Sequence, residues 1–544
     1  MTITSAYPPI TVPPVDLWTF LLERTDREYS DDHAIYVDIA AQKRLNFRNI
    51  HHSAEQFGRG LRQHWNWQKG DVLALFTPNS AEVAAVTFGT LWAGGVLCPL
   101  NNLYKVGELV SQLRSSQAKA LVTNTACLEV ARQAALIAGL PLDRVLLLGG
   151  SDSKGRFQHF SNLRSTSTGI ERASINPGED LAFLVYSSGT TGLPKGVMLT
   201  HRNMIANVIQ SSATDHGMLD FRNDRNLGFL PMFHIYGIAV LILGPIYRGV
   251  TTYIMQRFDL RQFCHTVQQE KITFAYIVPP VALALAKHPL VNNFNLSSLR
   301  MMHSSAAPVA KDLIEAIYQR LKVPVKQGYG LSEASPGVAS QRWSDWNNPI
   351  GSCGRLVPSM SMKFVVDGQE VPTGEEGEIL IQGPNLFKGY DNPKATAQSI
   401  DADGWYRTGD IGYVDKEENI YITDRVKELI KYNGFQVAPA QLEGLLLAHP
   451  AVNDVAVIGV YSEERATELP RAYVVLASGY KADEKMEKEL SDWLNEKVAP
   501  YKRLRGGIRF INEIPKSSAG KLLRRSLVEQ AKMEQGQEAL KARL

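Results

Sequence analysis

A run of small and hydroxylated residues, Tyr186-Ser-Ser-Gly-Thr-Thr-Gly-Leu-Pro-Lys-Gly196, follows the apolar segment Leu181–Val185. Glycine lets backbone N–H groups approach an anion closely, and the run adds hydroxyl donors and a cation. The candidate anion-binding residues are Ser187, Ser188, Gly189, Thr190, Thr191, Gly192 and Lys195. The spacing does not fit the Walker A pattern GxxxxGK[ST]. The run therefore predicts a polyphosphate-binding loop of another kind, although an ordinary surface loop has a similar composition.

This loop needs a scaffold, and the pattern up to about residue 420 predicts a parallel α/β sheet. Short apolar runs alternate with amphipathic helical segments, as buried parallel strands alternate with helices. The runs that we interpret as strands include Val72–Phe76, Ala120–Thr123, Arg144–Leu148 and Phe274–Val278.

The hydrophobic period changes to two between Gly377 and Thr423. The strand-like segments are Glu378–Gln382, Gly412–Val414 and Tyr421–Thr423, and the polar turn Asp415–Asn419 separates the last two. This pattern predicts antiparallel hairpins.

The last 120 or so residues predict a separate small α/β unit. Strands are expected at Val455–Val460, Ala472–Leu476 and Ile508–Ile511, with a charged helix from Ala482 to Val498 and a basic helix after the last strand. The change of pattern gives two domains, 1–423 and 424–544. Length alone, at about 150 residues per domain, predicts three to four compact units.

Composition excludes several classes of protein. The 544 residues include 58 Lys and Arg against 55 Asp and Glu, and a net charge of +3 argues against a partner such as nucleic acid. The four cysteines lie tens of residues apart, so we expect neither a metal pair nor a disulfide framework. The uncharged stretches Val83–Leu100 and Leu227–Tyr247 contain Gly and Pro, and we interpret them as buried core and not as membrane spans.

Six further motifs follow the loop in order: Phe233–Gly237, Gln327–Glu333, Gly377–Gly383, Tyr406–Asp410, Asp424–Gln436 and Pro515–Lys521. With the loop, they resemble the adenylate-forming (AMP-binding) superfamily, in the acyl-CoA synthetase branch that includes 4-coumarate:CoA ligases and beetle luciferases. The resemblance implies a large multi-subdomain α/β body with a β-rich subdomain, and a small mobile C-terminal α/β domain. It also implies ATP-driven activation of a carboxylic acid to an acyl-AMP, followed by transfer of the acyl group to coenzyme A.

The resemblance assigns a nucleotide site. Glu333 would hold Mg²⁺, which prefers one or two carboxylates together with phosphate oxygens. Asp410 and Arg425 would bind the ribose, and Tyr329 would stack on adenine. Further members of the site are Ala306, Ala307, Pro308, Gln327, Gly328 and Ser332, the last standing where the family often has Thr.

Lys521 is implied as the catalytic residue of the first step. The attack of a carboxylate on the α-phosphate brings two anions together, and a cation 4 Å from an anion is worth about 4 kcal/mol at an effective dielectric of about 20. Lys431 and Gln436 would act in thioester formation, and His234 would gate the acyl site. Because both lysines serve one carboxyl carbon, the C-terminal domain would swing about a hinge at Asp424 and Lys427.

Coenzyme A would contact Arg257, Asn433 and Gly434. Arg257 stands where the family has a Lys, and Arg keeps that charge. Gly434 would leave room for the pantetheine arm. Asn433 stands where close relatives often have Lys, which puts a charged contact at this position in doubt.

The acyl pocket implied by the resemblance comprises Tyr236, His303, Ala306, Gly330, Pro336 and Gly337. Hydroxycinnamate ligases often carry Val at the position of Gly337, and Lys at the position of His303. A missing Val side chain would deepen the pocket, and a missing Lys would remove a partner for a polar substrate tail. Both differences favour a medium-chain or aryl-alkyl acid over coumarate.

The final tripeptide Ala542-Arg543-Leu544 is similar to the peroxisomal signal Ser-Lys-Leu. It predicts recognition by a peroxisomal import receptor, or a cytoplasmic location if the tripeptide is not read. Two alternatives to the CoA ligase remain at this point. One is an adenylating enzyme that passes the acyl group to a carrier-protein thiol or another acceptor, and the other is a non-catalytic adenylate-binding protein.

Overall fold

The computed structural model describes residues 2–152, 154–187, 195–215, 217–306, 311–347, 349–425, 430–437, 439–447, 449–515 and 524–541. They form two compact units. One comprises Met1–Asn102, Val106–Tyr186 and Gly196–Asp424, and the other comprises Leu103–Lys105, Ser187–Lys195 and Arg425–Leu544. The three to four units predicted from length are therefore too many, because a single apolar core extends through the sheets of the first unit.

A seven-stranded sheet lies in the first unit. Its strands, in spatial order, are Gly389–Tyr390, Lys195–Thr200, Leu181–Ser187, Val96–Leu100, Val72–Phe76, Ala120–Thr123 and Val145–Leu147. The central pairs are parallel. All residues of Val96–Leu100 are buried, as parallel strands with covered faces require.

A nine-stranded sheet carries the predicted site residues His303, Gln327, Gly328, Tyr329, Gly330 and Gly337. Its order is Arg355–Leu356, Gly337–Ser340, Val325–Gly330, Met301–Ser304, Phe274–Ile277, Arg225–Gly228, Thr251–Ile254, Ala34–Asp38 and Lys43–Asn46. The inner strands are parallel, and the strands at both ends pair antiparallel. Parallel α/β architecture is thus confirmed for this part of the chain.

The third sheet has antiparallel strand pairs, as the period of two predicts. It contains Thr2–Thr4, Ser361–Val366, Gly377–Gln382, Tyr406–Val414 and Ile420–Arg425, with Gln369–Glu370 paired to Ser361–Val366. The predicted turn is present, because the Asp415 N–H donates to the Asn419 carbonyl at 3.0 Å.

Helices cover the sheets of the first unit. The α-helices are Leu17–Leu22, Phe47–Trp65, Val83–Trp92, Val106–Ser115, Leu128–Ala138, His201–Asp215, Ile235–Gly237, Gly244–Arg248, Leu260–Glu270, Pro279–Lys287, Lys311–Leu321 and Pro393–Ser399. A π-helix spans Ile238–Leu243, and 3-10 turns span Leu142–Arg144, Phe160–Leu163, Pro289–Asn293, Ser332–Ala334 and Trp343–Asp345.

The two uncharged stretches fold as core. The first forms the wholly buried helix Val83–Trp92 and a buried strand, and the second forms a strand, short helices and the π-helix. Over the described part of the chain, no helix is long and apolar enough to cross a membrane.

The second unit contains the hairpin Ile430–Tyr432 and Phe435–Val437, a three-stranded sheet and three α-helices. The sheet strands are Val452–Ser462, Thr467–Leu476 and Ile508–Phe510; the helices are Pro439–Leu447, Glu484–Asn495 and Arg524–Lys541, and a 3-10 turn spans Pro500–Lys502. Apolar residues of these elements form the unit's own core.

Several predicted bounds are wrong by a few residues. Arg144 belongs to a 3-10 turn, so the strand begins at Val145. The charged helix begins after Asp483, whose carboxylate accepts the Met486 N–H at 2.9 Å and caps the helix. Such side-chain caps fix helix ends that a hydrophobic period alone leaves open.

Candidate active site

The ends of the predicted phosphate loop are anchored by the seven-stranded sheet. Ser187 ends one strand and Lys195 begins its neighbour. The Gly196 N–H donates to the Asp391 carboxylate at 3.0 Å, and a Cβ at Gly196 would lie 2.6 Å from that carboxylate. Because a side chain at position 196 would clash with Asp391, glycine is required at this end of the loop. Burial raises the pKa of Asp391 above its usual range. Ser188, Gly189, Thr190, Thr191 and Gly192 lie outside the described residues.

Tyr329 and Asp410, both predicted for the nucleotide, are in direct contact. The Tyr329 hydroxyl donates to Asp410 Oδ2 at 2.6 Å, and only 1% of Asp410 is exposed. The Asp410 N–H donates to Thr408 Oγ1 at 3.0 Å. A strand of the third sheet and one of the nine-stranded sheet thus bring together two residues that are distant in sequence. The hydrogen bond fixes the orientation of a carboxylate that is suited to accept ribose hydroxyls.

Glu333 accepts a hydrogen bond from Tyr390, which in turn contacts Tyr406, and neither tyrosine was predicted to have a role. It lies in the turn Ser332–Ala334 and is 8% exposed. The Tyr390 hydroxyl donates to Glu333 Oε1 at 2.7 Å and lies 3.0 Å from the Tyr406 hydroxyl. Burial and the charge of Glu333 raise the pKa of Tyr390 well above its usual range, so its hydroxyl stays a donor.

The donor set around Glu333 fits Mg²⁺ bound chiefly by substrate. Among the described residues, no cluster of three or more His, Cys, Asp or Glu side chains could hold a metal by itself. A single carboxylate supplemented by ATP phosphates and water is a usual environment for Mg²⁺. Glu333 could therefore hold the ion only together with the nucleotide.

Gln327 has an orphaned donor. Its backbone N–H donates to Gln341 Oε1 at 2.8 Å, whereas its side-chain Nε2 is buried without a hydrogen-bond partner in the described structure. A buried amide without a partner is costly, and a ligand acceptor would remove that cost. This is the property expected of a nucleotide-binding position. Gly328 precedes Tyr329 on the same strand, and a Cβ there would lie 2.6 Å from His303 Nε2.

Two asparagines clamp the segment that contains Pro336 and Gly337. Asn207, with its amide oriented to satisfy both groups, donates to the Ser335 carbonyl at 2.9 Å and accepts the Gly337 N–H at 3.1 Å. Asn385 Nδ2 donates to the Gly337 carbonyl at 2.8 Å. A Cβ at Gly337 would lie 3.0 Å from the Asn207 amide atom that accepts the Gly337 N–H, and a Val there would push that amide away. The glycine is thus matched to Asn207.

Gly330 and Ala306 are two further pocket positions that the structure describes. A Cβ at Gly330 would lie 2.5 Å from the Pro336 carbonyl oxygen, so the two strands approach closely there. Ala306 follows the strand Met301–Ser304 in a left-handed conformation with φ 74°. Ala307 and Pro308 lie outside the described residues.

Hydrogen bonds connect His234, Tyr236 and His303, which the resemblance assigns to the acyl site. His234 Nδ1 accepts the Tyr236 N–H at 3.3 Å, and the Tyr236 hydroxyl donates to the His303 carbonyl at 3.3 Å. Burial lowers the pKa of His234 to about 4, so its imidazole is neutral at pH 7. A neutral ring brings no charge to an acyl group beside it.

The second unit places four predicted residues on one hairpin. Lys431 pairs with Gln436 across it, and the Lys431 N–H donates to Glu468 Oε2 at 2.7 Å. The two-residue turn has φ 48° at Asn433 and φ 81° at Gly434, the left-handed values of a type I′ turn. Asn-Gly is the preferred sequence for such a turn, which gives a physical reason for Asn where relatives often have Lys.

Several predicted residues are not joined to these clusters by described contacts. Arg257 is exposed after the strand Thr251–Ile254. Lys427 and Lys521 lie outside the described residues, as do the side chains of Asp424, Arg425 and Gln436.

Two tyrosines and a buried charged cluster were not predicted from the sequence: Tyr390, Tyr406, and the cluster of Asp215, Arg248 and Lys326. Two of these had a signal, because Tyr406 begins one recognised motif and Lys326 directly precedes another. A lysine next to an apolar strand pattern is a reason to look for a buried counter-ion.

Two protein-family models match this chain. The AMP-binding enzyme model matches residues 22–391, and the AMP-binding enzyme C-terminal domain model matches residues 441–521. A 4-coumarate–CoA ligase of Pinus taeda is 38% identical, with 94% of each chain covered. The 4-coumarate–CoA ligase 1 of Petroselinum crispum is 35% identical, with 96% of this chain and 95% of that protein covered.

Solved structures give the same assignment. An o-succinylbenzoate CoA synthetase variant from Bacillus subtilis matches with TM-score 0.80 and 26% identity, covering 95% of this chain and 98% of that one. A long-chain fatty acid–CoA ligase from Archaeoglobus fulgidus matches with TM-score 0.75 and 27% identity over 93% and 98%. The chain belongs to the AMP-binding enzyme family, in the acyl-CoA synthetase branch that contains the 4-coumarate–CoA ligases.

Proposed function

We propose that this chain converts an aryl-alkyl or medium-chain carboxylic acid, Mg·ATP and coenzyme A into an acyl-CoA, AMP and pyrophosphate. The reaction class, ATP-dependent acyl-CoA ligation through an acyl-AMP, follows from the family and from the near full-length similarity to CoA ligases. The observation that best supports the site is the hydrogen bond between Tyr329 and Asp410, because it joins two residues of the proposed nucleotide site.

In the first step, a carboxylate oxygen of the acid attacks the α-phosphorus, the bond from that phosphorus to the bridging oxygen breaks, and pyrophosphate leaves. Asp410 would accept the ribose hydroxyls, and Gln327 Nε2 would donate to a nucleotide acceptor. Lys521 would offset the repulsion between the two anions. Mg²⁺ bound at Glu333 would neutralise phosphate charge.

In the second step, the sulfur of CoA attacks the acyl carbon, the bond from that carbon to the AMP oxygen breaks, and the thiol proton is released. Lys431 and Gln436 would serve this step from their hairpin, with Arg257, Asn433 and Gly434 proposed for CoA. Because Lys521 and Lys431 act at the same carbon in different steps, we place the hinge between the domains at Asp424 and Lys427.

Carboxylate-dependent ATP–pyrophosphate exchange over a panel of aliphatic and aromatic acids tests the first step, and thioester formation with CoA tests the second. Exchange that depends on the acid, together with a CoA thioester, is expected. Exchange without CoA turnover would favour a carrier-protein or other acceptor, and no exchange with any acid would favour a non-catalytic nucleotide-binding role.

A peroxisomal address is a further part of the proposal, supported by the similarity of Ala542-Arg543-Leu544 to Ser-Lys-Leu. These residues lie outside the described ones. Fusion of the last dozen or so residues to a fluorescent reporter is expected to give a peroxisomal signal, and a diffuse cytosolic signal would contradict this part.

A further inference from the structure

Three side chains from neighbouring parallel strands form a row on one face of the nine-stranded sheet. Tyr276 is the register partner of His303, and His303 is the register partner of Lys326. Register partners in a sheet point to the same face. The row therefore places Lys326, which is 1% exposed, beside the predicted pocket residue His303. Position 303 lacks the Lys that hydroxycinnamate ligases often carry there, but Lys326 provides a cation on the neighbouring strand.

Lys326 belongs to a buried cluster with Asp215 and Arg248. Lys326 Nζ lies 2.6 Å from Asp215 Oδ1, and an Arg248 guanidinium nitrogen lies 2.9 Å from Asp215 Oδ2. The second terminal nitrogen of Arg248 donates to the Tyr276 hydroxyl at 3.2 Å, and Trp343 Nε1 donates to Asp215 Oδ1 at 3.4 Å.

The cluster carries an excess positive charge. Burial alone would raise the pKa of Asp215, but the charges of Lys326 and Arg248 outweigh burial and lower this pKa to about 2. Burial, followed by the charge of Lys326, lowers the pKa of His303 to about 3, so this ring is neutral. Two cations therefore share one carboxylate. Within the part of the chain that the structure describes, no second carboxylate lies within 4.0 Å of either cation.

An unbalanced buried charge is unfavourable unless an anion balances it. Arg248 lines a cavity of about 20 Å³ together with the polar residues Tyr276, Asn207, Ser211 and Ser335 and with apolar residues of the helix His201–Asp215 and of the π-helix. A cavity of this size holds about one water molecule, and hence one oxygen atom of a ligand. A guanidinium is well suited to hold a carboxylate oxygen at such a place.

The ring of Tyr236, a residue predicted for the acyl pocket, adjoins Tyr276, which lines this cavity. The Tyr236 ring lies 5.8 Å from the Tyr276 ring and 6.2 Å from the His303 ring, between centroids. Tyr276 also lines the cavity. An acid tail that continued past Tyr236 and His303 as far as Tyr276 would approach Arg248, which donates to the Tyr276 hydroxyl.

Given the ligase function proposed above, we infer that the acid carries a second anionic group, a carboxylate, at the end remote from the reacting one. Arg248 binds this distal group, and Lys326 adds positive potential from the sheet. The favoured acids are therefore the ω-carboxylated members of the aryl-alkyl or medium-chain class, and Arg248 is a specificity-determining residue.

The test compares acids of matched shape in ATP–pyrophosphate exchange with the full-length enzyme. One pair is octanoate and octanedioate; the other set is phenylpropanoate, para-hydroxyphenylpropanoate and para-carboxyphenylpropanoate. An interaction of a buried cation with an anion predicts a kcat/KM that is about 30-fold or more higher for the dicarboxylates. The phenol, para-hydroxyphenylpropanoate, tests whether a neutral distal oxygen is sufficient. A kcat/KM for this acid equal to or above that for para-carboxyphenylpropanoate would overturn the inference.

Three variants separate the loss of ligand binding from a loss of folding: Arg248→Met, Arg248→Lys and Lys326→Met. Arg248→Met removes the excess positive charge and leaves a charge-balanced Lys326–Asp215 pair. We expect it to lower the dicarboxylate preference at least tenfold, whereas Arg248→Lys keeps most of the preference and Lys326→Met lowers it less. Arg132→Met removes an exposed ion pair with Glu129 and serves as the matched control with the preference intact.

The outcomes distinguish this inference from the ligase function. Exchange with the monocarboxylates at a kcat/KM equal to or above that of the dicarboxylates overturns the inference and leaves the ligase function in place. A preference that Arg248→Met does not change also overturns it. If none of the acids supports exchange, both the ligase function and the distal site are overturned.

Discussion

Replacement of Tyr390 by Phe tests whether the tyrosine pair positions the carboxylate proposed for Mg²⁺. The change deletes the hydroxyl that donates to Glu333 Oε1 at 2.7 Å and that meets the Tyr406 hydroxyl at 3.0 Å. A hydrogen bond to a charged group contributes about 1.5–3 kcal/mol. If this energy serves to orient Glu333, kcat/KM for Mg·ATP falls about 10- to 100-fold.

The assay is ATP–pyrophosphate exchange measured against Mg²⁺ concentration at a fixed saturating acid, with urea unfolding to measure stability. Tyr421→Phe is the matched control, because it also removes a hydroxyl that donates to a carboxylate, Asp415 Oδ2 at 3.2 Å, but on a turn. We expect Tyr390→Phe, and not Tyr421→Phe, to require more Mg²⁺. An unchanged Mg²⁺ dependence in Tyr390→Phe, in an enzyme that Glu333→Gln inactivates, would refute the reasoning.

Three further predictions address the two steps and the buried histidine. Lys521→Ala is expected to reduce exchange about a thousandfold while supplied acyl-AMP is still converted to thioester; equal loss of both activities would contradict the assignment. Gly434→Val places a β-branched residue at φ 81° and is expected to impair thioester formation while exchange persists, and a selective loss of exchange would count against it. Because the pKa of His234 is about 4 in the folded chain and about 6.5 when unfolded, its stabilising effect is complete above pH 6.5 and declines as pH falls toward 4. Urea unfolding between pH 4 and 6.5 should give a slope that is shallower for His234→Asn by up to about 1.4 kcal/mol per pH unit, and identical slopes would argue against a buried neutral ring.

The main strands could be predicted from local hydrophobic patterns. Val72–Phe76 and Ala120–Thr123 have the predicted bounds, because a short apolar run between polar turns has few other ways to bury itself. Thr2–Thr4 was not predicted as a strand. Its partner Ser361–Val366 is far along the chain, and no local signal encodes a pairing over that distance.

In the candidate site, the identities of several residues could be predicted from the sequence, but the contacts between them could not. Motif resemblance named Tyr329, Glu333 and Asp410 one by one, but the Tyr329–Asp410 contact depends on the packing of two sheets. The pairing of Asp215 with Lys326 is also tertiary. Neither residue is part of a charge pattern that the sequence alone displays, because charge pairing at long range is set by the fold.

The short strand Thr2–Thr4 has a consequence for handling the protein. It pairs with one part of the outer edge of Ser361–Val366, and Gln369–Glu370 pairs with another part. A strand edge without partners is a template for association between chains. Removal of the first few residues, or a tag that disturbs the pairing of Thr2–Thr4, would therefore leave part of this edge unpaired and favour self-association. The exposed edge would belong to the same sheet that positions Asp410.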